Sequence, residues 1–306
     1  MRKSRTSFEE VDLIDLICKV VEKIPHGKVC TFGDIALALG DLSAARAVGE
    51  VLASERRMIP HWYRVVYADG RAPEAEALRK EGVILRDGRV VDLERVRFKE
   101  LEIPPLLKHL REEQMRLSLL VSEEDASSEF LYAAGVDVAY LEDEAVAAKV
   151  TVEFSTGKIV EEVVAWGKVR FPYIPGFLGY RELPLMKKVM EPQKECVHLI
   201  DGHGRLHPRG FGVACHAGVI LGVPTIGAAK SLLPGQIQDE WGNVVINGCI
   251  KGRRVGNPQR PTFVSVGHMI SLDTACGVVR RLILKGPPEP LRKAHILANE
   301  ERKRRV

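Results

Sequence analysis

Ala134-Gly135-Val136-Asp137-Val138-Ala139-Tyr140 is an apolar run with one carboxylate at its centre. Its small and β-branched residues read as a strand. Two more strand patterns follow, Ala145 to Phe154 and Ile159 to Trp166, joined through Ser155-Thr156-Gly157 as a hairpin turn. Farther on, Leu183 to Met190 reads as helix, Cys196 to Ile200 as an apolar strand, Phe211 to Leu221 as helix, and Pro224 to Gly227 as the entry to another strand. With a helix at Leu106 to Val121 ahead of it, a meander giving way to alternating units predicts an α/β three-layer domain around a mixed sheet.

Working back toward the N-terminus, the pattern changes between Phe98 and Pro105, where a strand-like stretch meets Ile103-Pro104-Pro105. A chain of 306 residues is long enough for two cores, so the expected domains are 1–104 and 105–306. In the first, Phe8 to Ile24 reads as an amphipathic helix and Pro25-His26-Gly27 as a turn. Thr31 to Leu39 reads as a helix capped by Thr31, and Ser43 to Leu52 as one capped by Ser43. Two short helices joined around Gly40 give a helix-turn-helix signal. Val83 to Leu85 and Val90-Val91, joined across Asp87-Gly88, would form its wing.

Composition narrows the class. At 45% hydrophobic and 28% charged the chain is an ordinary globular one. No apolar run reaches the roughly 18 residues of a membrane span. The opening MRKSRTSFEEVDLIDLI carries acids where a signal peptide needs an apolar core. A soluble, cytoplasmic protein with no membrane partner is expected. Six cysteines without a CxxC pair suggest neither a zinc site nor a disulfide framework. Cys30 and Cys215 lie near His26 and His216, but both read as small buried hydrophobes rather than nucleophiles. Residues 280–306 hold nine Lys/Arg against three acids. That basic end suits a phosphate backbone, and it equally suits a solvated helix terminus.

Three acids stand in unlike settings: Asp137 inside its strand, Glu182 at the start of a helix, and Asp201 where an apolar strand ends in Gly202. A carboxylate in an apolar strand is costly unless it is paired or binds a cation. Convergent Asp and Glu oxygens suit Mg²⁺ or Mn²⁺, which polarises a phosphate and activates water. The alternative is that Asp137 caps a turn and Asp201 begins an Asx-turn. The loop Asp201-Gly202-His203-Gly204-Arg205-Leu206-His207-Pro208-Arg209-Gly210 is too rich in glycine and charge to be core, and its glycines would admit a base or phosphate. Phe171-Pro172-Tyr173-Ile174-Pro175-Gly176-Phe177-Leu178 is apolar and stiffened by prolines, which fits either a wedge between bases or a packed turn.

These motifs, with Tyr180-Arg181-Glu182, His207-Pro208-Arg209-Gly210-Phe211-Gly212 and Pro224-Thr225-Ile226-Gly227-Ala228-Ala229-Lys230-Ser231, together resemble endonuclease V over about residues 106–306. The resemblance implies a ribonuclease-H-like fold and Mg²⁺-dependent cutting of a strand containing a deaminated base, hypoxanthine above all, one phosphodiester beyond the lesion on its 3′ side. It implies that Asp137, Glu182 and Asp201 are metal-binding and catalytic acids, Lys230 an active-site lysine and His295 a late active-site histidine. Tyr173 would be the strand-separating wedge, while Leu178, Gly202, Gly204 and His207 would line the pocket for a flipped base. Two other readings accompany it, an inosine-specific endoribonuclease acting on RNA and a non-enzymatic lesion sensor.

The first domain is similar to the DNA-binding domain of O6-alkylguanine-DNA alkyltransferases, through Ile24-Pro25-His26-Gly27-Lys28-Val29-Cys30-Thr31-Phe32-Gly33-Asp34-Ile35-Ala36, Ala44-Ala45-Arg46-Ala47-Val48-Gly49 and Arg64-Val65-Val66. That family carries a nucleophilic cysteine and a histidine just before Arg-Val-Val. Here Trp62 and Tyr63 hold those places in Ile59-Pro60-His61-Trp62-Tyr63-Arg64. An indole has no thiolate to accept an alkyl group. The pattern therefore resembles the alkyltransferase-like proteins, which bind alkylated guanine without repairing it. Arg46 matches an arginine finger and Phe32 a nucleotide-rotating aromatic, whereas His61 and Tyr63 depart even from that pattern.

Overall fold

The computed structural model describes residues 11–192, 195–284 and 286–305. They form two compact units, one reaching to Glu112 and including Arg170–Pro175, the other comprising Glu113–Val169 and the chain from Gly176 onward. No helix among the described residues is long and apolar enough to cross a membrane.

In the first unit, α1 (Leu13–Glu22) begins where the Asp12 side chain accepts from Asp15 N at 2.9 Å, and it buries Leu13, Ile17, Val20 and Val21 on one helical stripe. The expected start at Phe8 lies outside the described residues. β1 (Cys30–Thr31) leads into α2 (Phe32–Ala38). There Thr31 Oγ1 accepts from Asp34 N at 3.0 Å while Asp34 Oδ2 accepts from Thr31 N at 2.8 Å, a reciprocal cap.

The next helix departs from expectation. Asp41 accepts from Ser43 N at 3.0 Å and opens a 3₁₀ turn, Leu42–Ala44, so α3 (Ala45–Glu55) starts later and without the Ser43 cap. An ionised carboxylate outcompetes the hydroxyl two residues on as acceptor. β2 (Val65–Val66) pairs in parallel with β1, and α4 (Ala75–Lys80) follows. The wing is present as β3 (Leu85–Arg86) and β4 (Arg89–Val90), with Asp87 (φ 49°) and Gly88 (φ 73°) at its tip. Two left-handed residues give the turn whose twist matches the strands. Val83, expected in the first wing strand, is instead a buried member of the cluster with Val29, Val66 and Leu78, ahead of α5 (Leu93–Val96).

A buried ion pair ties this unit together. Arg64 Nη2 lies 2.6 Å from Glu81 Oε1, with both side chains at least nine-tenths buried, and Arg64 Nη1 donates to Ile24 O at 2.7 Å. Gly27 N and the Tyr63 hydroxyl donate to the same carboxylate at 3.0 and 2.8 Å. Burial opposes ionisation of Glu81, but Arg64, Gly27 and Tyr63 outweigh it and hold the carboxyl at about 2, against 4.5 in the free group. A depressed folded value means this contribution is complete above pH 4.5 and is lost as pH falls through about 2. Glu81→Ala, which strands Arg64, should cost about 3 kcal/mol. It should also flatten the fall in melting temperature with acid between those pH values, followed by circular dichroism; an unchanged melting temperature would count against the pair.

α6 (Leu106–Ser118) supplies residues to both units. In the second, β5 (Tyr132–Leu141), β6 (Glu144–Glu153) and β7 (Ile159–Lys168) form the expected antiparallel meander. Then come α7 (Leu178–Met186), β8 (Cys196–Ile200), α8 (Val213–Leu221), β9 (Thr225–Ala229), β10 (Asn243–Ile246), β11 (Cys249–Val255), β12 (Thr262–His268), α9 (Leu272–Leu282) and α10 (Glu289–Arg304). The eight-stranded sheet runs β10-β11-β12-β9-β8-β5-β6-β7, with β5, β8 and β9 parallel. The sequence β7-β6-β5-β8-β9 is the expected ribonuclease-H-like core.

Period-two alternation splits β5 between two layers. Val136, Val138 and Tyr140 pack with Leu183, Ala214 and Ala217 of α7 and α8, while Ala139 packs with Leu297 and Ala298 of α10. Gly135 is needed there, since a Cβ would sit 2.2 Å from the Pro290 backbone. α7 begins a turn earlier than expected and loosens after Met186 into the i→i−3 bonds Lys188 N→Leu185 O and Val189 N→Met186 O, both 3.0 Å. Glu182 therefore lies inside the helix, not at its start.

Candidate active site

The parallel register Val136↔Ile200 makes Asp137 and Asp201 the next residues along neighbouring strands, and α7 brings Glu182 to them. Asp137 is 9% exposed, with Oδ2 2.7 Å from His295 Nδ1 on α10. Glu182 is 8% exposed and accepts from the Tyr140 hydroxyl at 2.9 Å. Lys230, just past β9, donates to Asp201 Oδ2 at 2.6 Å.

Burial pushes the Glu182 carboxyl up to about 8; the Tyr140 bond resists, and Asp137 and Asp201 add repulsion. Asp137 is likewise raised, by burial first and then, against the His295 bond, by Asp201. Lys230 is raised overall, because Asp201 and Asp137 overcome the effect of burial. Burial first, and neighbouring acids second, oppose the charges of Asp137 and Glu182, a setting that a bound cation would relieve. The donor set of the three acids, oxygen throughout, fits a hard divalent cation. As they stand, each acid is turned to its own partner, and among the described residues no three acidic, His or Cys side chains are gathered in a ligating arrangement.

Around the acids, the glycine loop is tightly packed. A Cβ on Gly204 would meet Val266 O at 2.0 Å, and one on Gly202 would meet the Val213 side chain at 2.6 Å. Gly204 N donates to Ser265 Oγ at 2.9 Å. His207 is buried and pushed down to about 4, chiefly by that burial, and its Nδ1 accepts from Arg209 N at 3.2 Å. Leu178 is half-buried at the first turn of α7. Tyr173 is 56% exposed and belongs with the first unit. Tyr140, with the Arg181 guanidinium 4.2 Å over its ring, is a site residue that the motif reading missed; its only signal was its place on the α7-facing side of the strand that holds Asp137.

In the first unit Trp62 is half-buried, in a 3₁₀ turn entered through left-handed His61 (φ 60°). Phe32 meets Tyr67 edge-on at 5.2 Å. The Arg46 side chain is 90% exposed, 2.9 Å from Glu50. The cysteines of this unit do not replace the missing nucleophile: burial raises Cys18 to about 11 and Cys30 to about 12.

A mixed α/β sheet that gathers carboxylates and a lysine at its strand ends defines a nuclease of the metal-dependent, ribonuclease-H-like class. The profile of the family described as Endonuclease V matches residues 114–296, and that of the 6-O-methylguanine DNA methyltransferase DNA binding domain matches residues 13–90. The chain belongs to the endonuclease V family. A relative from Picrophilus torridus, named bifunctional methyltransferase/endonuclease, is 35% identical over 298 residues, covering 94% of this chain and 96% of its own. The endonuclease V structure from Streptomyces avermitilis is 34% identical with a TM-score of 0.59, over 64% of this chain and 93% of that one. The Ciona intestinalis endonuclease V, solved with a 24mer DNA containing an inosine followed by a ribo-adenosine, is 26% identical with a TM-score of 0.58, over 66% of this chain and 100% of its own.

Proposed function

We propose that the second unit hydrolyses the phosphodiester on the 3′ side of hypoxanthine in DNA, using Mg²⁺, with Mn²⁺ able to substitute, held by Asp137, Glu182 and Asp201. The observation that carries this is the convergence of Asp137, Asp201 and Glu182, from two neighbouring strand ends and α7, beside Lys230. When bound, the cation supplies Lewis-acid polarisation of the phosphate and an activated water. Lys230 places an ammonium where charge develops on the phosphate. His295 orients Asp137 and, exposed on its other side, is placed to move a proton at the leaving or attacking oxygen.

Tyr173 serves as the wedge, while Leu178, Gly202, Gly204 and His207 shape the pocket for the extruded base. The two glycines do so by letting backbone segments pack closely behind it, and His207 by fixing the loop. The N-terminal domain, taken as residues 1–104, holds DNA through Phe32, Arg46 and Trp62, at alkylated guanine, without dealkylation. The methyltransferase part of the relative's name does not extend to this chain, which has Trp62 where the thiol would be. Six free thiols suit a reducing cytoplasm.

Tyr140→Phe deletes the hydroxyl that positions Glu182. A hydrogen bond to a charged group is worth about 1.5–3 kcal/mol, so single-turnover cutting should slow by about 10- to 100-fold with substrate affinity retained. An unchanged rate would remove Tyr140 from the site. The function itself is tested on matched inosine DNA and inosine RNA strands with Mg²⁺, Mn²⁺ or chelator. Metal-dependent cutting of DNA is expected; cutting of RNA alone would make the protein an endoribonuclease, since the 2′-hydroxyl is what separates the two, and cutting of neither would make it a lesion sensor.

A further inference from the structure

A cleft of about 660 Å³ lies beyond the glycine loop, between the last turn of α6 and the β10–β11 hairpin. Arg116, Arg205, Arg209 and Lys251 line it, over an apolar floor that includes Leu119 and Ile246. Two of these cations are held in place. Arg205 Nη1 donates to Ser118 O and Gly210 O at 3.1 and 3.2 Å. Arg209 Nε donates to Gln114 Oε1 at 2.8 Å, with its guanidinium 4.8 Å over the Phe177 ring. These bonds fix the two guanidinium groups in advance, so much of their side-chain entropy is already spent.

The acids nearby do not cancel the set. Glu123 pairs with Arg205 at 2.8 Å and lies 3.6 Å from Lys251, and Glu113, which feels Arg116, is bonded to Tyr180. Arg205 stands four residues after Asp201 in one loop, and a chain of that length keeps the two Cα atoms within about 14 Å.

We infer that this cleft carries the phosphate backbone of the DNA strand that flanks the cut site, a contact beyond the reacting phosphodiester. The inference rests on the reading of the second unit as a DNA nuclease. Its occupant is argued from charge: a strand offers evenly spaced anions to a row of preset cations, whereas a floor of this kind without the cations would suit an apolar ligand. The contact is sequence-independent, so it sets affinity and salt dependence rather than choice of lesion.

Cys249 lines the cleft and is the exposed cysteine of the six, which makes it a reporter. Alkylation of Cys249 by iodoacetamide is followed in the full chain without metal, with a 30-base-pair inosine duplex or its unmodified counterpart. Both duplexes should slow the reaction alike. Arg116→Glu with Lys251→Glu should weaken duplex affinity at least about tenfold and lower the salt slope by about 1 per cation removed. Arg116→Lys with Lys251→Arg should restore affinity, which a folding defect would not permit. Nicking of inosine DNA with no protection of Cys249 and an unchanged salt slope overturns the cleft and leaves the nuclease standing. Protection without nicking supports the cleft and overturns the nuclease.

Discussion

Asp137→Ala should abolish strand cutting, a loss of at least about 10³-fold in the single-turnover rate, while affinity for an inosine duplex should be retained. On the proposed reading two roles end with that one carboxylate: a ligand for the cation, and the partner that fixes His295 at 2.7 Å. The same substitution carries a second sign. Asp137 is buried, and its charge adds to the burial that pushes the Glu182 carboxyl up to about 8. Removing it relieves repulsion, so the melting temperature of the metal-free variant should not fall. A buried residue kept for packing would behave in the opposite way, losing stability on truncation. Cutting that survives in Asp137→Ala, or a large drop in melting temperature with activity intact, would return Asp137 to a structural role.

Lys230→Ala should lower the single-turnover rate about 10²- to 10³-fold, the range seen when one preorganised donor to a developing anion is lost. Its ammonium bonds Asp201 at 2.6 Å and is 61% exposed, so it can reach beyond that acid toward a phosphate. The substitution also uncouples Asp201, leaving the acids without their nearby cation. Metal affinity measured by titration should then change less than the rate, because the oxygens remain. Lys230→Arg should restore only part of the rate, since a planar guanidinium does not occupy the position of a compact ammonium. A rate unaffected by Lys230→Ala would assign the lysine to holding Asp201 alone.

The meander and the parallel strands were legible because alternation and apolar runs are local signals. Asp137 announced itself as a charge where a strand should be apolar. Glu182 was legible as a residue but misplaced within its helix, because α7 already begins at Leu178, inside the stretch that its prolines and aromatics marked as a loop. Tyr140 was missed because its meaning arises only when α7 crosses the face of β5. Ser43 misled in the same way, as a good cap displaced by the better acceptor two residues earlier.

β10, β11 and β12, which extend the sheet past β9, went unread. Asn247 and Gly248 form their hairpin turn with left-handed backbones (φ 51° and 76°), but Arg253 and Arg254 interrupt the apolar pattern of β11. Gly202 and Gly204 were singled out for closeness to a ligand; that a Cβ at either would also meet the protein's own core is a second demand that composition did not show.

The most direct test maps the nick in end-labelled duplexes carrying inosine or O6-methylguanine, with Mg²⁺ or chelator, for the full chain and for Glu182→Ala. The account predicts one Mg²⁺-dependent cut on the 3′ side of inosine, lost in the variant, with no methyl group transferred from O6-methylguanine to the protein. Cutting that persists with chelator or in Glu182→Ala, or none at inosine under any condition, would contradict it.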